Sequence, residues 1–67
     1  MTLEQAQERA TRMGLTAWEV EAVRVGRERS ETVVLMCVGF AGIDLPIAEE
    51  ETWEESFAVA TRIAFGT

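Results

Sequence analysis

The stretch TVVLMCVGF, residues 32–40, decides how this chain folds. Its residues are β-branched or otherwise apolar almost without interruption, a pattern typical of a strand that is covered on both faces. The flanking segments GRERSE (26–31) and GFAG (39–42) contain the glycines and charges that suit turns. The sequence therefore predicts a central strand with a neighbouring strand on each side.

The segment before the central strand, Thr16–Val25, fits two structures. It opens with a threonine followed three residues later by a glutamate, which is the spacing of a helix-capping box. The alternation of Trp18 and Val20 with glutamates favours a half-exposed strand instead, with a bulge where the alternation changes phase at Ala22–Val23. The valine content and the strand-like run that follows favour the strand.

The segment after the central strand, IDLPI (43–47), alternates apolar residues with Asp44 and Pro46. This alternation predicts a third strand. Because proline has no N–H to donate to a ladder, we expect this strand at an edge of the sheet.

Two helices are predicted at the ends of the chain. Thr2 and Gln5 form a capping box, and apolar side chains then recur at helical spacing as far as a glycine. Thr52 and Glu55 form another capping box, followed by a second apolar stripe. The sequence thus predicts a single small α+β domain over residues 1–67, a two-layer α-β-β-β-α fold with a three-stranded antiparallel meander and both helices on one face.

This order of elements resembles that of the double-stranded-RNA-binding domain, a family whose members have the same order in a domain of about seventy residues. That family carries lysines at the start of its second helix, where they grip phosphates. The corresponding stretch here is EEETWEES (49–56), which has the opposite charge. The resemblance therefore implies the fold and no RNA-contacting residue, and we expect no direct binding of nucleic acid.

The composition limits the chemistry of the chain. With no histidine and one cysteine, Cys37, it can form neither a disulfide framework nor a thiolate–imidazole zinc site. We interpret Cys37 as a small buried hydrophobe. Because lysine and tyrosine are also absent, the candidates for a general acid or base are limited to aspartates and glutamates, which lie in stretches that we expect to be exposed. We predict that the protein is not an enzyme and uses no metal or cofactor.

Two features predict a cytoplasmic location. The N-terminal residues include Glu4 and Glu8 rather than a basic segment followed by an apolar one, so we expect no targeting segment. The apolar run of the central strand is much shorter than the ~20 residues that a membrane helix needs. We expect no membrane association.

The net charge is −6, and the whole excess lies in the second part of the chain. Residues 1–30 hold five acids and five arginines, whereas residues 31–67 hold seven acids and only Arg62. Because a surface of one sign attracts its opposite, the sequence predicts a protein partner with a basic surface.

The densest acidic stretch is IAEEETWEESF (47–57). Glu54 and Glu55 have a structural explanation, since the first turn of a helix favours negative charge. The three preceding glutamates have none. We therefore predict a partner-binding surface made of Glu49, Glu50, Glu51, Glu54, Glu55, Asp44 and Trp53. Trp53 would serve as an aromatic anchor if exposed, although the apolar stripe of its helix also suits a place in the core.

The most concrete function that fits these features is a small inhibitor that imitates nucleic-acid charge and blocks a nucleic-acid-binding protein. In size and charge the chain resembles tiny acidic phage-encoded proteins, including anti-CRISPR proteins. The alternative is a structural or assembly subunit that homodimerises or docks through an exposed apolar sheet face. With both helices on one face, the residues facing away would be either Val33, Leu35 and Cys37 or Val34, Met36 and Val38.

Overall fold

The computed structural model describes residues 1–66 and contains the predicted elements in the predicted order. Helix α1 (Leu3–Arg12) comes first and helix α2 (Trp53–Phe65) comes last. Strands β1 (Leu15–Val25), β2 (Ser30–Phe40) and β3 (Pro46–Glu50) lie between them. They form an antiparallel meander with β2 in the centre, so the predicted α+β fold is confirmed.

The pairing of β1 with β2 is regular from end to end. Leu15 lies opposite Phe40 and Val25 lies opposite Ser30, with no register shift between them. The bulge predicted at Ala22–Val23 is therefore wrong. Because the ladder is unbroken, the two neighbouring apolar residues point to opposite faces of the sheet.

Strand β3 begins later than the sequence pattern indicates. It covers Pro46–Glu50 instead of residues 43–47, and its pairing with β2 contains a bulge next to Val38. Ile43 and Leu45 belong to the preceding loop, where they are 51% and 71% exposed. Pairing with β2 thus places glutamates in the strand despite their low β-propensity. Pro46 occupies the first position of the strand, where its missing N–H is tolerated.

Both helices begin at the predicted threonines. The Thr2 hydroxyl accepts from the backbone N–H of Gln5 at 3.2 Å, and the Gln5 amide oxygen accepts from the backbone N–H of Thr2 at 2.9 Å. At α2, the Thr52 hydroxyl accepts from the backbone N–H of Glu55 at 3.2 Å and donates to the Glu55 carboxylate at 3.0 Å. These local hydrogen bonds fix where each helix starts.

The core lies between the helices and one face of the sheet. Helix α1 packs against β1, and α2 packs against β2 and β3. The core contains many alanines, which let the helices approach the sheet closely. Its buried apolar residues are Ala6, Ala10, Leu15, Ala17, Val38, Ala48, Trp53, Phe57 and Ala60.

A hydrogen bond joins the helix layer to the sheet, and a cation–π contact joins the two helices. The hydroxyl of Ser56, which is fully buried on α2, donates to the backbone carbonyl of Met36 on β2. The guanidinium of Arg9 on α1 lies 4.6 Å from the centre of the Phe57 ring on α2. The second contact is a cation–π arrangement, through which a side chain of α1 reaches α2.

The β1–β2 hairpin extends beyond the rest of the fold. Strand β3 pairs with β2 only from Met36 onwards, so the part of the hairpin between Val20 and Leu35 has two strands instead of three. We call this part the hairpin arm. It contributes to an elongated shape of 41 × 25 × 21 Å. Its valines include Val23 and Val25, which are 65% and 77% exposed.

Candidate protein-binding surface

The face of the sheet opposite the helices carries an apolar strip. Val38 faces the helices, so the alternation along β2 turns Val33, Leu35 and Cys37 to the other side. The residues opposite them on β1 therefore share that side. We call this surface the open face; its apolar side chains are Trp18, Val20, Ala22, Val33, Leu35 and Cys37. No helix or strand of residues 1–66 packs against it.

Trp18 is the largest side chain of the open face, and its ring lies over Gly39 on the neighbouring strand. A Cβ atom on Gly39 would stand 2.9 Å from Trp18 Cη2 and 2.7 Å from the backbone oxygen of Leu45. Only glycine therefore leaves room at this position for both groups. The ring and the loop beside it form a shallow cleft that also contains Ile43 and Asp44.

Cys37 lies opposite Trp18 and is 1% exposed. Burial raises the pKa of its thiol above the ordinary value, and the negative charge of Glu49 raises it further. The thiol is therefore protonated at neutral pH, which makes it a weak nucleophile. The structure supports the interpretation of Cys37 as a small buried hydrophobe.

The predicted acidic surface is divided by the strand that contains it. Glu49 lies opposite Cys37 and belongs to the open face, whereas Glu50 lies opposite Met36 and points to the helix side. Consecutive strand residues project in opposite directions, so the two carboxylates cannot belong to one continuous strip. The acidic stretch of the sequence is therefore divided between the two faces of the sheet.

Glu51 has a structural partner. The guanidinium of Arg24 forms ion pairs with Glu51, just after β3, and with Glu31 on β2, the latter at 3.4 Å. Arg24 thereby links the hairpin arm to the end of the third strand. These side chains are about half exposed, so each pair adds at most about 1 kcal/mol to stability. The pairing nevertheless accounts for one of the three glutamates that the sequence left unexplained.

The remaining predicted residues lie at the start of α2 and in the loop before β3. Glu54 and Glu55 are exposed in the first helical turn, as their helix-dipole explanation requires. Asp44 is exposed beside Trp18. Trp53 is only 4% exposed and packs near Phe57, with 6.1 Å between ring centres. It belongs to the core, which removes it from the set of partner-binding residues.

The open face therefore has an apolar centre with acidic groups beside it. Glu49 and Asp44 flank Trp18 and Cys37, and neither carboxylate forms an ion pair within residues 1–66. An apolar centre within a polar rim is the usual anatomy of a protein–protein interface. Sequence reasoning missed Trp18 as a site residue; its alternation with Glu19 is the signal that could have placed it on a solvent-facing side.

Comparisons with known proteins assign no relative. No protein-family model, curated protein or solved structure matches this chain. Within residues 1–66, no group of three potential metal ligands is placed to hold an ion. None of the helices in that range is long and apolar enough to cross a membrane.

Proposed function

We propose that the protein is a non-enzymatic binding module that docks a partner protein on its open face. The observation that carries this proposal is the half-buried apolar strip of Trp18, Val20, Val33 and Leu35, against which no helix or other strand of residues 1–66 packs. A small domain gains more from covering such a strip than from leaving it in water. The proposal therefore develops the docking alternative from the sequence.

The charges beside the strip indicate the chemistry of the partner. Arg24 is the basic side chain on this face, and Glu31 and Glu51 already neutralise it. Glu49 and Asp44 remain unpaired within the described residues, so the rim is negative. A partner with an apolar patch flanked by arginine or lysine complements this arrangement. A second copy facing the first would bring two negative rims together, which disfavours a homodimer through this face.

Inhibition of a nucleic-acid-binding protein is a second candidate function. It is favoured by Glu49, Glu54 and Glu55, which are exposed and form no ion pair within the described part of the chain. Because Glu50 points to the other side of β3 and Glu51 is paired with Arg24, fewer carboxylates are available to such a partner than the sequence suggests. In this version the basic partner is a nucleic-acid-binding protein and the docking reduces its activity.

The open face is tested by quantitative affinity capture from cells of the source organism. The parent protein is compared with a Val33→Thr/Leu35→Thr variant, in which β-branched threonines retain high β-propensity while making the strip polar. The matched control is Ile63→Thr on α2, since Ile63 is also partly exposed but lies on the helix layer. A Glu49→Gln variant tests the acidic rim.

We expect one basic protein that the parent and the Ile63→Thr control retain and the double variant loses. Glu49→Gln should weaken the capture by roughly threefold, and rising salt should weaken it further, because the rim charges attract through solvent. Equal retention by the double variant, with its fold verified by circular dichroism, would show that the open face is not the docking surface.

A further inference from the structure

The outer edge of β1 carries unused backbone hydrogen-bonding groups. The sheet order places β1 at an edge, and no strand of residues 1–66 pairs with its outer side. The ladder to β2 is regular over the whole of Leu15–Val25, so this edge is free of bulges. It also lacks proline. Long regular edges of this kind are templates for an additional strand.

One hydrogen bond at the end of the hairpin shows which groups face outward. The backbone N–H of Gly26 donates to the carbonyl of Arg29 at 2.8 Å. In an antiparallel ladder, bonded and non-bonded pairs alternate, so the even-numbered residues of β1 bond to β2 and the odd-numbered residues point their N–H and C=O groups outward. The Gln7 side chain confirms this, since its amide donates to the outward carbonyl of Ala17 at 3.4 Å.

Beyond Ala17 the outward groups belong to Glu19, Glu21, Val23 and Val25, and all four residues are exposed. The two glutamate side chains point to the helix side of the sheet and form no ion pair within residues 1–66. Val20 and Ala22 point to the open face. A strand added at this edge would therefore meet two carboxylates and then Val23 and Val25 on the helix side, and Val20 and Ala22 and then the paired Arg24 on the open face.

We infer that the free edge of β1, from Glu19 to Val25, binds an extended segment of another protein as a fourth strand antiparallel to β1, and that this segment alternates basic with apolar residues. Backbone hydrogen bonds to the outward groups would supply affinity, and the alternation would supply specificity. The inference goes beyond docking on the open face, because it uses the edge of the sheet rather than its apolar strip.

A second copy of the same strand is a poorer occupant. Two β1 strands paired antiparallel are related by a two-fold axis normal to the sheet, so odd residues face odd residues. Registers centred on residues 19, 20 or 21 place Glu19 or Glu21 opposite a glutamate of the other copy. Like charges directly opposite are destabilising, so the central registers are disfavoured.

The inference is tested with synthetic peptides that alternate lysine and valine over the length of Glu19–Val25. A lysine opposite Glu19 exchanges both backbone hydrogen bonds with it, so the lysine amides face β1 and the valine amides face away. Methylating the lysine amide nitrogens should abolish binding. Methylating the valine amide nitrogens should leave binding unchanged. The two methylated peptides are therefore a matched pair. Binding is followed by NMR titration and by amide hydrogen exchange of the intact protein.

We expect slower exchange at the amides of Glu19, Glu21 and Val23 when the unmethylated peptide binds. A Glu19→Gln/Glu21→Gln variant should bind it roughly fivefold more weakly, since two cross-strand charge pairs are lost. The Val33→Thr/Leu35→Thr variant should still bind the peptide. Failure of docking on the open face can therefore be distinguished from failure of binding at the β1 edge. The inference would be overturned if both methylated peptides bound equally or if the odd-numbered amides of β1 gained no protection. Self-association of the protein through this edge would also overturn it.

Discussion

Replacement of Gly39 by alanine tests the packing that builds the open face. The new Cβ would stand 2.7 Å from the backbone oxygen of Leu45 and 2.9 Å from Trp18 Cη2. Since ordinary contacts begin near 3.4 Å, the Leu45 carbonyl must recede by about 0.7 Å and the ring must also move. Both the loop before β3 and the ring of Trp18 would be displaced.

The expected cost follows from two opposing effects. Overpacking of this kind costs about 1–3 kcal/mol. The lower backbone entropy of alanine in the unfolded chain offsets about 0.4–1 kcal/mol of that. We therefore expect Gly39→Ala to lower the free energy of unfolding by about 1–2 kcal/mol. A domain of this size has a total stability of roughly 3–10 kcal/mol, so the loss is a substantial part of it.

Urea unfolding at 25 °C, followed by circular dichroism, measures this cost. With a slope of about 1 kcal/mol per molar urea, the midpoint should fall by roughly 1–2 M. Gly26→Ala is the control: its Cβ would meet only the Arg29 carbonyl, at 3.1 Å, so its cost should be smaller. In a Trp18→Leu background the cost of Gly39→Ala should shrink by roughly 0.5 kcal/mol or more. A neutral or stabilising Gly39→Ala would refute the described contact between Trp18 and Gly39.

Three further predictions concern single groups. Ser56→Ala should cost about 1–3 kcal/mol in urea unfolding, because the Met36 carbonyl loses its buried donor; an unchanged midpoint would contradict this role. Thr52→Ala should cost about 1 kcal/mol by the same measurement, since α2 loses its N-cap, and equal stability would show that this cap is dispensable. The raised pKa of Cys37 predicts that stability falls as the pH rises above the ordinary thiol value of 9.0, because the unfolded chain releases the proton first. With no lysine or tyrosine in the chain, Cys37→Ala should remove most of this fall, and a fall that persists in the variant would exclude Cys37 as its cause.

The helices could be predicted from the sequence because their signals are local. Thr2 and Thr52 each stand three residues before a glutamine or glutamate, and the resulting hydrogen bonds involve only neighbours along the chain. The central strand was equally evident from its nearly continuous apolar run, although the structure leaves one of its two faces without a covering layer. Local patterns therefore identified the order of the elements and the type of all but β1, since Thr16–Val25 fitted a helix as well as the favoured strand.

The limits of β3 could not be predicted in the same way. Ile43 and Leu45 alternate like strand residues, yet the pairing with β2 starts at Pro46 and extends into the glutamates. Strand limits depend on which residues of two distant segments meet, and β-propensity does not decide that. Because the predicted strand ended at residue 47, the sequence left Glu49 and Glu50 without a structural explanation, whereas in the structure they are strand residues that point to opposite faces.

The centre of the candidate site was hidden for a related reason. Trp18 matters because its ring lies over Gly39, a residue that only the strand register brings beside it. The sequence supplied the alternation that exposes one side of β1 but no information on the partner side chains across the ladder. It also could not show that Arg24 would reach Glu51, since the two are far apart in the chain.

The hairpin arm affects how the size of this protein in solution should be measured. The Cα radius of gyration is 12.7 Å, whereas a compact domain of this length has a value of about 11 Å. An elongated particle has more hydrodynamic drag than a sphere of equal mass, so a monomer would elute from a gel-filtration column ahead of globular standards of 7.4 kDa. Elution volume alone would then overstate the number of subunits. Light scattering or sedimentation equilibrium, which report mass independently of shape, are the methods that count them.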